Sequence, residues 1–279
     1  MPTRAKKIIF IVVVYVILVA IAIAMVFPYL WMLSTSLMTA PEAMNADFNL
    51  IPSSFQWQHY REIFDRIPFI RGTLNTSLIV IAVIPIGTIV SGFGAFSFAK
   101  LKLPFRSFFL MLLLSGTMVP YAALMLPQFQ IFSMLGMRDT LWPLILPGWF
   151  GNVMMMFFFM QFLRGTPTEL IEAAKIDRAG YVRIFFTLMI PLLAPAIAVQ
   201  IVFWFTGIWN DFLAPSIYLT RENWMTLQVL LFNMIEGARG GGNWPLIMTA
   251  SVLSSIPILV IFIAFQRFFV ESVAISGIK

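Results

Sequence analysis

The chain has 279 residues, 60% hydrophobic and 11% charged, with no cysteine, one histidine and a net charge of +6, whereas an ordinary soluble domain is roughly 45–50% apolar and about 25% charged. A mean hydropathy of +0.92 excludes a water-soluble fold and points to a membrane protein. The absent cysteines exclude disulfides, thiolate metal sites and a cysteine nucleophile, and His59 alone builds no histidine-ligated metal site.

A helix needs about 20 mostly apolar residues to cross a bilayer, at about 1.5 Å of rise per residue. Six stretches meet that requirement, over about 8–33, 73–99, 105–126, 141–163, 190–215 and 244–265. The reading is an all-α membrane protein of six transmembrane helices in a single domain, 1–279. The first stretch follows Arg4, Lys6 and Lys7 but is far longer than the roughly 7–15-residue core of a signal peptide, so it is read as a span that is retained. Proline falls inside the stretches at Pro28, Pro85, Pro120, Pro147, Pro195 and Pro257, which spanning helices tolerate when neighbours satisfy the freed carbonyls.

Lysine and arginine set the orientation, because short cytoplasmic loops collect them. With the N-terminus inside, twelve basic residues stand against four acidic ones on the cytoplasmic side, a balance of +8, and six against eight outside, a balance of −2. Both termini are predicted cytoplasmic. The basic excess is thus an orientation signal and not a nucleic-acid surface. The outer loop 34–72 is polar enough to stand in water, and His59 within it is read as a solvated side chain. The outer segment 216–243 is predicted to hold a short helix over 225–235 and then the flexible run around Gly240, Gly241 and Gly242.

The most informative loop joins the fourth and fifth stretches: Arg164-Gly165-Thr166-Pro167-Thr168-Glu169-Leu170-Ile171-Glu172-Ala173-Ala174-Lys175-Ile176-Asp177-Arg178-Ala179-Gly180. Thr166 as N-cap, Pro167 in the first turn and Glu169 three residues after the cap predict a capping box. Gly180 is the predicted helix stop. Small Ala173 and Ala174 on the surface of this helix would let another protein approach closely. From the loop alone, a solvated connector fits as well.

At these residues the chain resembles the membrane subunits of ATP-binding-cassette (ABC) importers, in the carbohydrate-uptake branch related to maltose permeases. The family's cytoplasmic signature is Glu-Ala-Ala, a three-residue gap, Gly, then an approach to Leu-Pro. Here it reads Glu172, Ala173 and Ala174, then Asp177, and later Ile190 and Pro191. The resemblance extends to Phe27-Pro28-Tyr29-Leu30-Trp31-Met32-Leu33, Asn75-Thr76-Ser77-Leu78, Trp209-Asn210-Asp211-Phe212 and Phe265-Gln266-Arg267-Phe268-Phe269-Val270. The family glycine falls at Arg178, with Gly180 two residues later. Either the turn has moved, or Arg178 adds a charged contact to a partner.

The resemblance implies an ABC type I importer permease fold and a multi-pass place in a bacterial or archaeal inner membrane. It also implies a coupling helix at Glu169, Glu172, Ala173, Ala174, Asp177, Arg178 and Gly180, seated on a cytoplasmic ATPase. The implied partners are a second homologous permease, two ATPase subunits, an extracytoplasmic sugar-binding protein and membrane lipid. Gly240, Gly241, Gly242 and Asn243 correspond to an outer loop that meets the binding protein. No phosphate-binding loop occurs in the sequence, so ATP and Mg are expected on the partner ATPases, with no metal or cofactor held by this chain and no chemistry done by it.

Asp211 is the single carboxylate inside a stretch, and such residues are functional candidates; bracing the end of its helix is the plainer role. Gln200, Trp204 and Asn210 join it as candidates for a sugar path. Gly87, Ser91, Ala95 and Ala99 form a small-residue stripe that serves packing within the chain or against a second permease. The run from Met154 to Met160 reads as packing or lipid-facing surface. The alternative function is an ion-gradient-driven secondary transporter, which calls for carboxylates near the membrane midplane. An intramembrane enzyme lacks a nucleophile with its base.

Overall fold

The computed structural model describes residues 4–45, 49–238 and 242–276, with side chains omitted at 4–5, 238 and 269–276. Among these residues every regular element is helical. The chain divides into two compact units, Met1–Ile67 with Asn233–Ser255 and Pro68–Phe232 with Ile256–Lys279.

In the first unit, α1 (Arg4–Ser36) is apolar all round, and none of its most apolar window is buried. That is how a helix looks when lipid or another chain covers it. Past Ser36 the chain turns, with Leu37 N–H on the Ser34 carbonyl at 3.0 Å and Met38 N–H on that of Thr35 at 3.2 Å. It then forms α2 (Ala40–Met44) and α3 (His59–Arg66). His59 is not solvated as its polar surroundings suggest. It is 5% exposed, and its Nδ1–H donates to the Ser36 carbonyl at 3.0 Å. That carbonyl also accepts from Thr249 Oγ1 at 3.2 Å, and the Ser36 and Tyr60 hydroxyls lie 2.8 Å apart. The end of α1 leaves unpaired carbonyls; backbone N–H groups of the turn take those of Ser34 and Thr35, and the His59 imidazole and Thr249 hydroxyl take that of Ser36.

In the second unit, α4 (Phe69–Lys100) is the central rod. Its small residues pack within the chain. A Cβ on Gly87 would stand 2.2 Å from Trp204 Cη2 and 2.5 Å from the Gly148 carbonyl oxygen. Ser91 Oγ accepts from Asn152 N–H at 2.8 Å. Ala95 is fully enclosed in one core with Phe96, Met155, Met156, Phe159 and Met160, and Ala99 packs at its edge. The stripe therefore fits neighbouring helices into α4, and the methionine run supplies the core it meets.

The third apolar stretch is not one straight helix. It divides into α5 (Arg106–Thr117) and α6 (Tyr121–Met134), bent by 91°. Pro120 supplies no N–H and disfavours helical torsions at Val119 before it, so the helix ends at Thr117 and restarts in a new direction. The fourth stretch is α7 (Trp142–Trp149) and α8 (Val153–Arg164), joined through Gly151 at φ +86°. Asn152 Oδ1 caps α8 by accepting from Met155 N–H at 2.9 Å.

After α9 (Glu169–Ile176) the fifth stretch begins with α10 (Tyr181–Ile184), passes through a π-helical turn (Phe185–Met189) and continues as α11 (Ile190–Trp209) and α12 (Leu213–Tyr218). Pro191 cannot donate to the Thr187 carbonyl, and the preceding turn widens so that Ile190 N–H reaches the Phe185 carbonyl. A 3-10 turn (Glu222–Trp224), α13 (Leu227–Ala238) and α14 (Trp244–Ser276) complete the chain. By length and composition, five described helices can cross a membrane, and the α5–α6 pair counts as a sixth if taken as one bent span.

Candidate functional site

The loop between α8 and α10 is built on its neighbours. Ile171 on α9 is 2% exposed and joins Leu163, Ile184, Phe185 and Phe96 in the larger core, with Ala174 packed against it. Residues three apart lie on one helix face, so Ile171 and Ala174 point inward. Glu169, Glu172, Ala173 and Ile176 stand outside, Ile176 at 82% exposure. With Leu170 at 44% exposure, Ala173 and Ile176 give the loop an outer face that is partly apolar, flanked by the Glu169 and Glu172 carboxylates. Of the two alanines expected on the surface, only Ala173 is there.

The capping box does not form. Thr166 N–H donates to the Leu163 carbonyl at 3.1 Å, closing the turn that ends α8, and the Thr166 carbonyl accepts from Lys100 Nζ at 2.5 Å. α9 starts at Glu169, its first carbonyl being that of Thr168, which accepts from Ile171 and Glu172 N–H at 2.9 and 3.2 Å. Thr168 makes no side-chain cap bond.

The stop is also not where Gly180 suggests. Ala179 N–H donates to the Ala174 carbonyl at 3.0 Å and Arg178 N–H to that of Lys175 at 2.9 Å, while Arg178 sits at φ +57°. This is the Schellman C-cap, whose left-handed position glycine normally fills. The turn has therefore stayed at the family's glycine position with arginine in it. Gly180, at φ −69° and ψ 160°, is instead the N-cap of α10. Beyond it the Phe185 ring stacks on Phe93 at 3.8 Å between centroids and lies 6.1 Å from Phe96. A Cβ on Gly92 would meet that ring at 3.1 Å. The loop is thus wedged against α4 on one side and α8 on the other.

At the opposite end of the second unit, Asn75 Nδ2 donates to the Asn223 and Met225 carbonyls at 3.0 and 2.9 Å. Thr76 Oγ1 accepts from Leu227 N–H at 3.0 Å, so this motif holds the approach to α13. Asp139, at φ +54°, accepts from the Thr220 and Arg221 amides at 2.6 and 3.0 Å and from the Thr220 hydroxyl at 2.8 Å. Those donors, Thr220 N–H foremost, hold its carboxyl below the usual range and clasp the α6–α7 turn to the end of α12.

Below the clasp lies a cavity of about 280 Å³ whose polar lining is Tyr121, Gln128, Asp211 and Thr226. Asp211 braces as well as lines, since its Oδ1 accepts from Ala214 N–H at 3.3 Å and caps α12. Asn210 Oδ1 accepts from Gln228 at 3.4 Å and Gln200 is half-buried on α11. Trp204 packs edge-on against Gly87. Sequence reasoning missed Tyr121, Gln128 and Thr226 because no single stretch contains them. Asn243 caps α14, with its Oδ1 accepting from Leu246 N–H at 3.3 Å. Gly242 is described beside it, while Gly240 and Gly241 lie outside the described residues.

Residues 83–275 match the family described as binding-protein-dependent transport system inner membrane component. The chain belongs to this family. The permease is 31% identical to the arabinooligosaccharides transport system permease protein AraQ of Halalkalibacterium halodurans, over 91% of each chain. It is 30% identical to the galactooligosaccharides permease protein GanQ of Bacillus subtilis, over 91% of this chain and 90% of that one. It is also 30% identical to the sn-glycerol-3-phosphate permease protein UgpE of Brucella abortus, over 88% and 89%. A solved bacterial ABC transporter involved in import of the acidic polysaccharide alginate has a chain of the same fold, with a TM-score of 0.81 and 21% identity, over 96% of this chain and 99% of that one.

Proposed function

We propose that this permease forms half of the pathway of a binding-protein-dependent ABC importer that takes up carbohydrate. Two of the relatives are named for oligosaccharides, and a cavity lined by Tyr121, Gln128, Asp211 and Thr226 offers the hydroxyl, amide and carboxylate groups that sugars require. Both termini and the α8–α10 loop face the cytoplasm, as the charge balance of the loops indicates. A second homologous permease completes the path, two ATPase subunits bind ATP and Mg, and a sugar-binding protein delivers cargo from outside. The complex sits in a bacterial or archaeal inner membrane.

The observation that carries this reading is the outward face of α9, where exposed Glu169, Glu172, Ala173 and Ile176 occur together at the family's signature. α9 is the coupling helix, seated on the ATPase. Glu172→Lys reverses a charge on that face while leaving Ile171 and the core untouched. The expected result is loss of ATPase co-purification and of sugar uptake at normal membrane abundance of the permease. Wild-type assembly and uptake would refute the coupling role.

A further inference from the structure

The Thr166 backbone is a three-way junction. Its N–H is spent on Leu163 at the end of α8, its carbonyl on Lys100 at the last residue of α4, and three residues later α9 begins. The Lys100 ammonium is a strong donor aimed at a neutral acceptor, and Glu169 in the first turn of α9 attracts the same ammonium. One cation therefore holds the backbone entering the coupling helix and lies in the field of that helix's first carboxylate.

The other end of the rod reaches the cavity. From Lys100 back to Ile79, which lines the cavity with Asp211, α4 covers about 32 Å at 1.5 Å per residue. On the way it is locked to its neighbours at Gly87, Ser91 and Ala95. A shift of α9 acts on α4 through Lys100 at one end, and α4 forms part of the cavity wall at the other. Packing through Ile171 and Phe185 also joins α9 to the bundle and opposes both compression and separation, the latter because apolar surface would be exposed. A charge-assisted hydrogen bond resists separation as well.

We propose that Lys100 is the positioning residue that fastens the coupling helix to the second span, so that ATP-driven movement of α9 pulls α4 as well as pushing it. The proposal rests on α9 being the coupling helix. It treats Lys100, which composition alone marks only as an inside-facing charge, as part of the transmission.

The test uses the whole complex, with its second permease, ATPase pair and binding protein, in proteoliposomes. It reads ATP hydrolysed per sugar imported, alongside complex yield. Lys100→Met keeps the apolar stem and removes the donor. It is expected to assemble at wild-type yield while raising that ratio by at least about fivefold, the scale of an ordinary coupling free energy between sites. Lys100→Arg is expected to restore the ratio to within about twofold.

A wild-type ratio in Lys100→Met overturns the proposal. If Lys100→Met fails to assemble, Lys100→Gln takes its place, with a raised ratio supporting the proposal and a wild-type ratio overturning it. Failure of all three variants to assemble also overturns it, since the residue then serves folding. Glu172→Lys in the same assay separates the two readings. Unchanged assembly and import there sinks the coupling helix itself, whatever Lys100 does.

Discussion

Gly87→Ala adds one methyl group at the point where α4, α7 and α11 meet. The new carbon would lie 2.2 Å from Trp204 Cη2, 2.8 Å from Cζ3 and 2.5 Å from the Gly148 carbonyl oxygen, against the 3.4 Å or more of ordinary contact. Neither obstacle yields easily, because the indole is a rigid ring packed against the core around Ala95 and Phe96 and against a second cluster around Val83 and Tyr218, and the oxygen belongs to backbone. Overpacking of this kind costs about 1–3 kcal/mol and occasionally more, and two simultaneous overlaps place this site at about 3 kcal/mol.

Gly207→Ala on α11, where nothing lies within 4 Å of the added carbon, is the control. It is expected to gain up to about 1 kcal/mol from helix propensity. Thermal unfolding of the detergent-purified chain, followed by loss of the monodisperse peak, should rank Gly207→Ala at or above wild type and Gly87→Ala well below it. Trp204→Ala added to Gly87→Ala should recover only part of the loss, since the Gly148 carbonyl remains. Equal stability of Gly87→Ala and wild type would refute the packing reading and free the stripe for another role.

Arg178→Gly is expected to be neutral or slightly stabilising. It removes roughly 1 kcal/mol of left-handed strain and gives back about half or more in unfolded-chain entropy. Arg178→Val, β-branched at φ +57°, should loosen α9, as should be visible in faster amide exchange at Ala179, whereas Gly180→Ala should leave that exchange unchanged and cost only what alanine loses to glycine as the N-cap of α10. The Asp139 clasp has a definite pH signature. A carboxyl whose folded pKa is lowered contributes stability that is present above its unfolded pKa and lost as pH falls through the folded value, so the clasp should hold at neutral pH and fail only below about pH 4. Asp139→Asn should be less stable at pH 7 and converge with wild type in acid, and parallel pH profiles would contradict the assignment.

The spans were legible in the sequence because apolar length is a one-dimensional property, and the signature loop was legible because its residues are contiguous. The bend of the third stretch was half visible, since Pro120 marks a break but not its angle. Three features needed the fold. Thr166 reads as an N-cap until the fold shows it closing the end of α8 and bonded by Lys100, 66 residues away. Arg178 reads as a displaced glycine until the bonds from Ala179 and Arg178 show the turn in its original place. His59 reads as solvated because its sequence neighbours are polar, while its partner, Ser36, lies 23 residues back. The cavity residues Tyr121, Gln128 and Thr226 belong to the same class, being scattered in sequence and joined only by helix packing.

The central claim is that this permease moves carbohydrate only as part of an ATP-driven complex. Its most direct test is uptake of a labelled pentose or hexose oligosaccharide into proteoliposomes holding the assembled complex with binding protein, set beside vesicles holding this chain alone. Uptake that requires ATP and binding protein, and is absent from the chain alone under a proton or sodium gradient, is the predicted result. Gradient-driven uptake by the single chain would contradict the account.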